Sequence, residues 1–259
     1  MMSEVKSEIR AYIDGHTQGW ESIDQLPLMY ANDWDCAYKT IKEDTLYKTN
    51  HTEFTFKMIT FFYGKPFSQV SKTNLHGNEM HCPVCFIIPV DKVKVNMVYP
   101  FDLTNFKDTY KKYIHDTMEI TNFEIGDTKE DILKYIKAFY DNNANYLDGK
   151  QKKLNDINNP YVGILDRIHS DNEVLSVGQG AHIVNVFSQS DIEDIKRSVE
   201  CIILPNAVLR YTDVKNYLND NKICYISYKI RPGKTPYEYN TDVMYKALEY
   251  IEKKGKGHV

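Results

Sequence analysis

Near the start of the chain, Val5, Ile9 and Ile13 stand four residues apart, a spacing that predicts a helix over Glu4 to Asp14. A second helix is expected from about Asp33, where Trp34, Ala37, Tyr38 and Ile41 share a face and an aspartate can cap the start. Thr52 to Phe62 changes the period to two, with Phe54, Phe56 and Met58 alternating before a wholly apolar run, and predicts a strand ended by Gly64-Lys65-Pro66. Cys85 to Val90 and Lys94 to Tyr99 read as two further strands broken at Asp91-Lys92. After Asp127-Thr128, the residues Ile132, Leu133, Ile136, Phe139 and Tyr140 form the apolar stripe of an amphipathic helix. Asn142 to Pro160 is rich in Asn, Asp and Lys and predicts a mobile loop or a domain boundary.

In the last third, Ser190 with Glu193 three residues on predicts a capping box for a helix Asp191 to Ser198. A strand Val199 to Leu204 stopped by Pro205-Asn206, a helix Asp213 to Asn219 and a strand Ile223 to Ile230 follow. Thr241 to Lys253 is a closing helix, with Val243, Met244, Ala247, Leu248 and Ile251 inward and Lys253-Lys254-Gly255-Lys256 a solvated tail. Strands come in clusters with helices around them and without regular βαβ alternation, which favours an α+β fold.

Composition changes this picture little. The 259 residues are 42% hydrophobic and 26% charged, which removes wholesale disorder. With 32 basic against 36 acidic side chains the net charge is −4, so the chain lacks the basic footprint of a general nucleic-acid binder. The opening MMSEVKSEIRAYIDG has no apolar signal core, and no apolar run approaches the roughly 20 residues needed to span a bilayer. A cytoplasmic protein with no membrane partner is expected. Five cysteines, three of them isolated, argue for reduced thiols rather than a disulfide framework.

Candidate chemistry is sparse. Walker A, Rossmann, HExxH and GxSxG motifs are all missing, and Val177 to His182 (VGQGAH) reads as a turn rather than a phosphate loop. His76, His81, Cys82 and Cys85 gather four zinc-type ligands within ten residues. Direct bonding of His81 to Cys82 makes joint ligation awkward, and Cys85 opens an apolar strand, so buried thiols are the simpler reading and zinc is not expected. Glu200 is an acid within the apolar run VECIIL. Either it faces solvent from a half-buried strand, or it is a placed carboxylate that needs a partner to offset burial. Tyr63, at the end of an apolar strand in FFYGKP, could stack on a flat ligand or simply lid the core.

In order along the chain, DWDCAYKTIKEDTLY, FFYGKP, CPVCFIIP, YPFD and RSVECIILPN resemble an ADP-ribosyltransferase-like arrangement. Arg197-Ser198-Val199-Glu200-Cys201-Ile202 is similar to the arginine–x–alanine–glutamate–apolar strand of DarT-type DNA-modifying toxins. FYGKP and CPVCF are similar to the FYGRP and CPVCF signatures of an uncharacterised bacterial family. The likeness covers about residues 29 to 106 and 190 to 230. It implies a single domain over residues 1–259, a split antiparallel or mixed sheet flanked by helices, and a helical insertion at about 107–160.

The resemblance further implies that NAD is the substrate and that Glu200 is catalytic, steadying the oxocarbenium-like sugar as nicotinamide leaves. It would give Tyr63 the nicotinamide and Arg197 a phosphate. The histidine that opens such sites is replaced here by Leu28-Met29-Tyr30-Ala31-Asn32-Asp33, leaving Tyr30 and Asn32 to grip the cofactor by hydrogen bonds. Two functions follow as expectations. One is transfer of ADP-ribose to a nucleic-acid or protein acceptor in a toxin, phage or antiphage setting. The other is a catalytically degenerate module of the same fold that binds a nucleotide or a protein; a zinc-stapled interaction module around Cys82 and Cys85 is a third.

Overall fold

The computed structural model describes residues 7–66, 79–104, 106–154, 159–170 and 182–255. Among them the strands are β1 Leu28–Asp33, β2 Thr45–Leu46, β3 Ile59–Tyr63, β4 Pro83–Ile88, β5 Met97–Tyr99, β6 Asn185–Ser188, β7 Ile192–Glu193, β8 Cys201–Pro205 and β9 Cys224–Tyr228. The fold is α+β, with a mixed sheet flanked by helices. The chain divides into two compact units, one of Met1–Gln25, Asn50–Lys57 and Val95–Ser188, the other of Leu26–Thr49, Met58–Lys94 and Gln189–Val259.

In the second unit the strand order is β3-β1-β4-β8-β9. β1 runs antiparallel to β3 and β4, β4 antiparallel to β8, and β8 parallel to β9. Every residue of β4 and β8 is buried, which is why both read as unbroken apolar runs: each of these strands is covered on both faces. Asp33 ends β1 and caps the helix Trp34–Glu43, accepting from the Cys36 N–H at 3.0 Å. The helix Thr212–Asp220 links β8 to β9, a single βαβ unit. The helix Tyr239–Gly255 packs on β4, β8 and β9 and buries Tyr239, Val243, Ala247 and Tyr250.

Two expectations fail here for identifiable reasons. The helix Asp191 to Ser198 with a Ser190–Glu193 capping box is not formed; Ile192–Glu193 instead pairs with Thr45–Leu46, and only Ile195–Ser198 is helical. The Asp191 carboxylate accepts from the Lys48 N–H at 2.7 Å, while the Ile195 N–H bonds the Asp44 carbonyl at 3.2 Å. Tertiary partners thus take the groups that would have nucleated the helix. The strand Thr52 to Phe62 likewise begins only at Ile59. Its alternating phenylalanines serve an aromatic cluster in the first unit, where Phe54 lies 5.5 Å from Phe56, 5.7 Å from Phe187 and 6.2 Å from Tyr99.

The first unit holds β5 and β6 as an antiparallel ladder and the helices Glu8–Asp14, Phe106–Tyr110, Lys129–Phe139, Asn143–Asp148 and Pro160–Ser170. Val5 lies outside the described residues, while Ile9 and Ile13 are buried as their spacing requires. The stretch expected as a mobile loop or a domain boundary carries the helix Asn143–Asp148 because its asparagines are caps: Asn142 accepts from the Asn145 N–H at 2.9 Å. Residues 155–158 of that stretch lie outside the described set. No helix among the described residues is long and apolar enough to cross a membrane.

Gly126 gives this unit a sharp test. Its carbonyl accepts from the Val98 N–H at 2.7 Å, and a Cβ placed there would meet the Asp131 side chain at 2.3 Å. Asp131 is buried and completes a capping box, accepting from the Thr128 hydroxyl at 2.6 Å and the Thr128 N–H at 3.1 Å. Gly126→Ala must therefore displace the cap, at an expected cost of about 1–3 kcal/mol in urea unfolding. An unchanged midpoint would mean that the cap contributes nothing.

Candidate functional site

β8 opens with the acid. The Glu200 N–H donates to the Ile87 carbonyl at 2.8 Å, which extends the β4–β8 ladder by one residue and leaves the side chain about a quarter exposed. That side chain faces the helix Tyr239–Gly255. Its Oε1 is ion-paired and hydrogen-bonded with Lys254 Nζ from the last turn, while Oε2 is buried without a hydrogen bond of standard geometry among the described residues. The lysine expected in a solvated tail is thus held against the sheet, and Lys253 is taken by Glu249 at 2.7 Å. One turn earlier, burial and then the Glu200 carboxylate push the Tyr250 phenol above its ordinary value. Both effects oppose forming a second negative charge beside Glu200.

The far end of β1 carries a separate constellation. Asn32 Nδ2 donates to the Tyr30 hydroxyl at 3.1 Å, an i, i+2 contact on one face of the strand. Asn32 Oδ1 accepts from the Asp33 N–H at 2.8 Å, and Asp33 Oδ2 stands 4.0 Å from His81 Nδ1. Burial raises the Tyr30 phenol above its ordinary value despite the Asn32 bond. Cys36 sits in the first turn of the helix Trp34–Glu43, where a helix N-terminus normally lowers a thiol. Burial and the capping Asp33 carboxylate outweigh that effect and push it up to about 11. The thiol, although exposed, is thus disfavoured as a thiolate at neutral pH.

Register separates these two places. Asn32 pairs with Val84, Leu28 with Ile88 and Cys201 with Ile87, so Glu200 stands level with Ile88, four residues from Val84. That is about 13 Å along the strands and about 10 Å across two strand spacings, or roughly 16 Å between backbones. Tyr63 pairs with Leu28, on the same row as Glu200 but three strands away. It is fully enclosed, and its hydroxyl accepts from the Leu26 N–H at 2.9 Å. Arg197 projects into solvent at 82% exposure, with Nε 3.3 Å from Asp194 Oδ2. Of the five residues the resemblance marks, only Tyr30 and Asn32 bond each other.

The zinc-type residues spread as well. His76 lies outside the described residues, and Cys85 is fully buried in β4 with its sulfur 3.9 Å from Met29 Sδ. Burial raises the Cys85 thiol far above its ordinary value, while Cys82 is buried beside Tyr228. No three His, Cys, Asp or Glu side chains converge on one point among the described residues.

Two cation-lined hollows escaped the sequence reading. One, in the first unit, measures about 690 Å³ and is lined by Lys111, Lys112, His115, Asp166 and Arg167 among others. The other, about 270 Å³, lies at the carboxyl ends of β8 and β9 between Asn206, Ser227, Lys229, Arg231, Asp242 and Lys246. The alternating cations of KIRPGK, directly after the apolar ICYISY, were its only visible signal. Neither hollow is lined by Glu200, Tyr63, Tyr30, Asn32 or Arg197. Comparison with protein-family profiles, with curated proteins and with solved structures finds no match to this chain.

Proposed function

We propose that this chain is a nucleotide-binding module related to the ADP-ribosyltransferases that does not transfer ADP-ribose from NAD. The ion pair between Glu200 and Lys254 carries this reading. A transferase acid works by offering negative potential to a sugar that becomes positive as nicotinamide departs. An ammonium group in direct contact reduces that potential, although at 48% exposure of Lys254 water screens part of the effect. The separation from Glu200 supports the same conclusion, because one NAD ribose cannot touch both that acid and Asn32 across roughly 16 Å, and Tyr30 stands about 12 Å away between backbones. Incubation of the full chain with labelled NAD, DNA, RNA and lysate is expected to leave every acceptor unlabelled. Calorimetry with NAD, ADP-ribose and cyclic nucleotides is expected to detect binding of at least one. Label on any acceptor, or absence of binding to all three, overturns the proposal.

One observation favours catalysis as a second reading. Glu200 Oε2 is buried, with the Tyr250 phenol interacting with the same carboxylate and no hydrogen bond of standard geometry to Oε2 among the described residues, which suits an acceptor that a ligand hydroxyl can reach. On that reading the chain modifies a nucleic-acid or protein acceptor, and Glu200→Gln abolishes NAD consumption while thermal unfolding stays unchanged. Equal NAD consumption by wild type and Glu200→Gln rules it out.

A further inference from the structure

We propose that the hollow at the carboxyl ends of β8 and β9 is an anion site that takes the phosphate or diphosphate group of a small ligand. In open α/β sheets ligands lie outside the carboxyl ends of parallel strands, and β8 and β9 form one such parallel pair in this mixed sheet. Here β8 ends at Pro205 and β9 at Tyr228, in register with one another. Three elements supply the charge: Lys229 directly after β9, Arg231 in the following turn and Lys246 from the helix Tyr239–Gly255.

The backbone that presents these cations is fixed. The buried Tyr228 hydroxyl donates to the Pro83 carbonyl at 2.7 Å and ties the end of β9 to the start of β4. The Tyr239 hydroxyl accepts from the Arg231 N–H at 2.5 Å and donates to the Arg231 carbonyl at 2.9 Å, clamping the turn from both sides of one residue. Gly233 completes the turn with φ at +85°, a conformation that glycine adopts without steric cost.

Charge is left over in this frame. Asp242 is the single acid of the lining, and Lys234, which is not part of that lining, stands 3.9 Å from its carboxylate. No carboxylate of a described residue lies within 4.0 Å of Lys229, Arg231 or Lys246; Lys246 reaches Glu249 only through longer-range attraction. Three lining cations against one lining carboxylate leave the hollow net positive, and the exposure of Lys229 and Arg231 keeps them accessible to a dissolved anion. Arginine offers a planar fork that matches phosphate oxygens, and Ser227 and Asn206 add neutral donors. Size selects the ligand class: 270 Å³ falls just below the roughly 300–1,000 Å³ typical of pockets for whole drug-sized ligands. The phosphate part of a ligand fits, with the remainder outside. The anion site stands without the nucleotide reading above; only the nucleoside that would carry the phosphate rests on it.

The test is calorimetric titration of the full chain with inorganic pyrophosphate and then with NAD, ADP-ribose and cyclic nucleotides. Each titration is repeated on Arg231→Ala, Lys246→Ala and, from the other cationic hollow, Arg167→Ala, with thermal unfolding checked for every variant. Pyrophosphate is expected to bind wild type, to bind Arg231→Ala and Lys246→Ala at least about tenfold more weakly, and to bind Arg167→Ala unchanged. Affinity should also fall as salt is raised. Absence of pyrophosphate binding to the folded wild type overturns the site, as does loss in Arg167→Ala instead. Should a variant unfold, Arg231→Gln replaces it, and the wild-type titration still decides. Pyrophosphate binding with no nucleotide bound retains the site and removes the nucleotide reading. Nucleotide binding that is indifferent to Arg231 and Lys246 retains that reading and puts the nucleotide elsewhere, whereas pyrophosphate binding that is indifferent to both residues removes the site.

Discussion

Trp34→Ala is expected to lower the free energy of unfolding by about 3–5 kcal/mol, the largest single loss in the sheet-bearing unit. The indole is 1% exposed and begins the helix that Asp33 caps. Its ring lies 5.6 Å from Tyr38 and stacks within 10° of the Tyr211 plane at 6.5 Å. Alanine removes that contact area and leaves a cavity that the β1 backbone cannot close, because β1 is paired on both sides. Trp34→Phe keeps part of the area and is expected to cost less than half as much. Urea unfolding followed by far-ultraviolet circular dichroism measures both. A loss below about 1 kcal/mol for alanine would show that the helix is anchored elsewhere. The same substitution frees the end of β1, so the Tyr30–Asn32–Asp33 array should lose order with it.

The sequence made some of these features readable because local chemistry alone decides them. Asp33 ahead of Trp34, Ala37 and Ile41 signals a capped amphipathic helix, and it forms with Asp33 as its cap. The buried runs of β4 and β8 read as strands, since no solvent face interrupts them. What stayed hidden depends on partners far along the chain. Ser190 and Glu193 have the spacing of a capping box, but β7 is recruited by Thr45–Leu46, far back along the chain, and spacing carries no record of that pairing.

Glu200 follows the same rule. An acid between apolar residues was legible as a choice between solvent and a partner, and the structure answers with a partner. The identity of that partner was not legible, because Lys254 sits in a lysine-rich run that looks solvated on its own. Tyr63 was legible as a strand-end aromatic, but only the register with Leu28 shows that its hydroxyl is spent on the Leu26 N–H. The hollow beyond β8 and β9 needs the parallel pairing of two strands, which nothing in either strand announces.

Asp44→Ala should cost about 2–4 kcal/mol, because one side chain there closes three elements at once. Asp44 ends the helix Trp34–Glu43 in the left-handed region with φ at 50°. Its Oδ1 accepts from the Tyr217 hydroxyl at 2.9 Å and the Lys196 N–H at 3.1 Å, and its Oδ2 meets Lys196 Nζ at 2.6 Å. Alanine deletes all three and must itself hold a left-handed conformation, which costs an L residue about 1–2 kcal/mol and which aspartate and asparagine adopt more readily. The carboxylate is 24% exposed, so water replaces part of the loss. Asp44→Asn keeps the conformation and one acceptor and should lose about half as much. Acid adds a second readout. Burial alone would raise this carboxyl, but the bonds from Lys196 and Tyr217 outweigh it and hold it below its ordinary value of 3.8. A carboxyl lowered in the folded state stabilises the fold above its unfolded value, and that contribution disappears as pH falls through the folded one. Wild type should therefore lose more stability between pH 5 and pH 3 than Asp44→Asn does, by urea midpoints at each pH. Parallel losses would mean that Asp44 is not linked to folding. The short helix Ile195–Ser198 that Asp44 anchors delivers Glu200 to the edge of β4, so the same variant should also loosen the pair with Lys254.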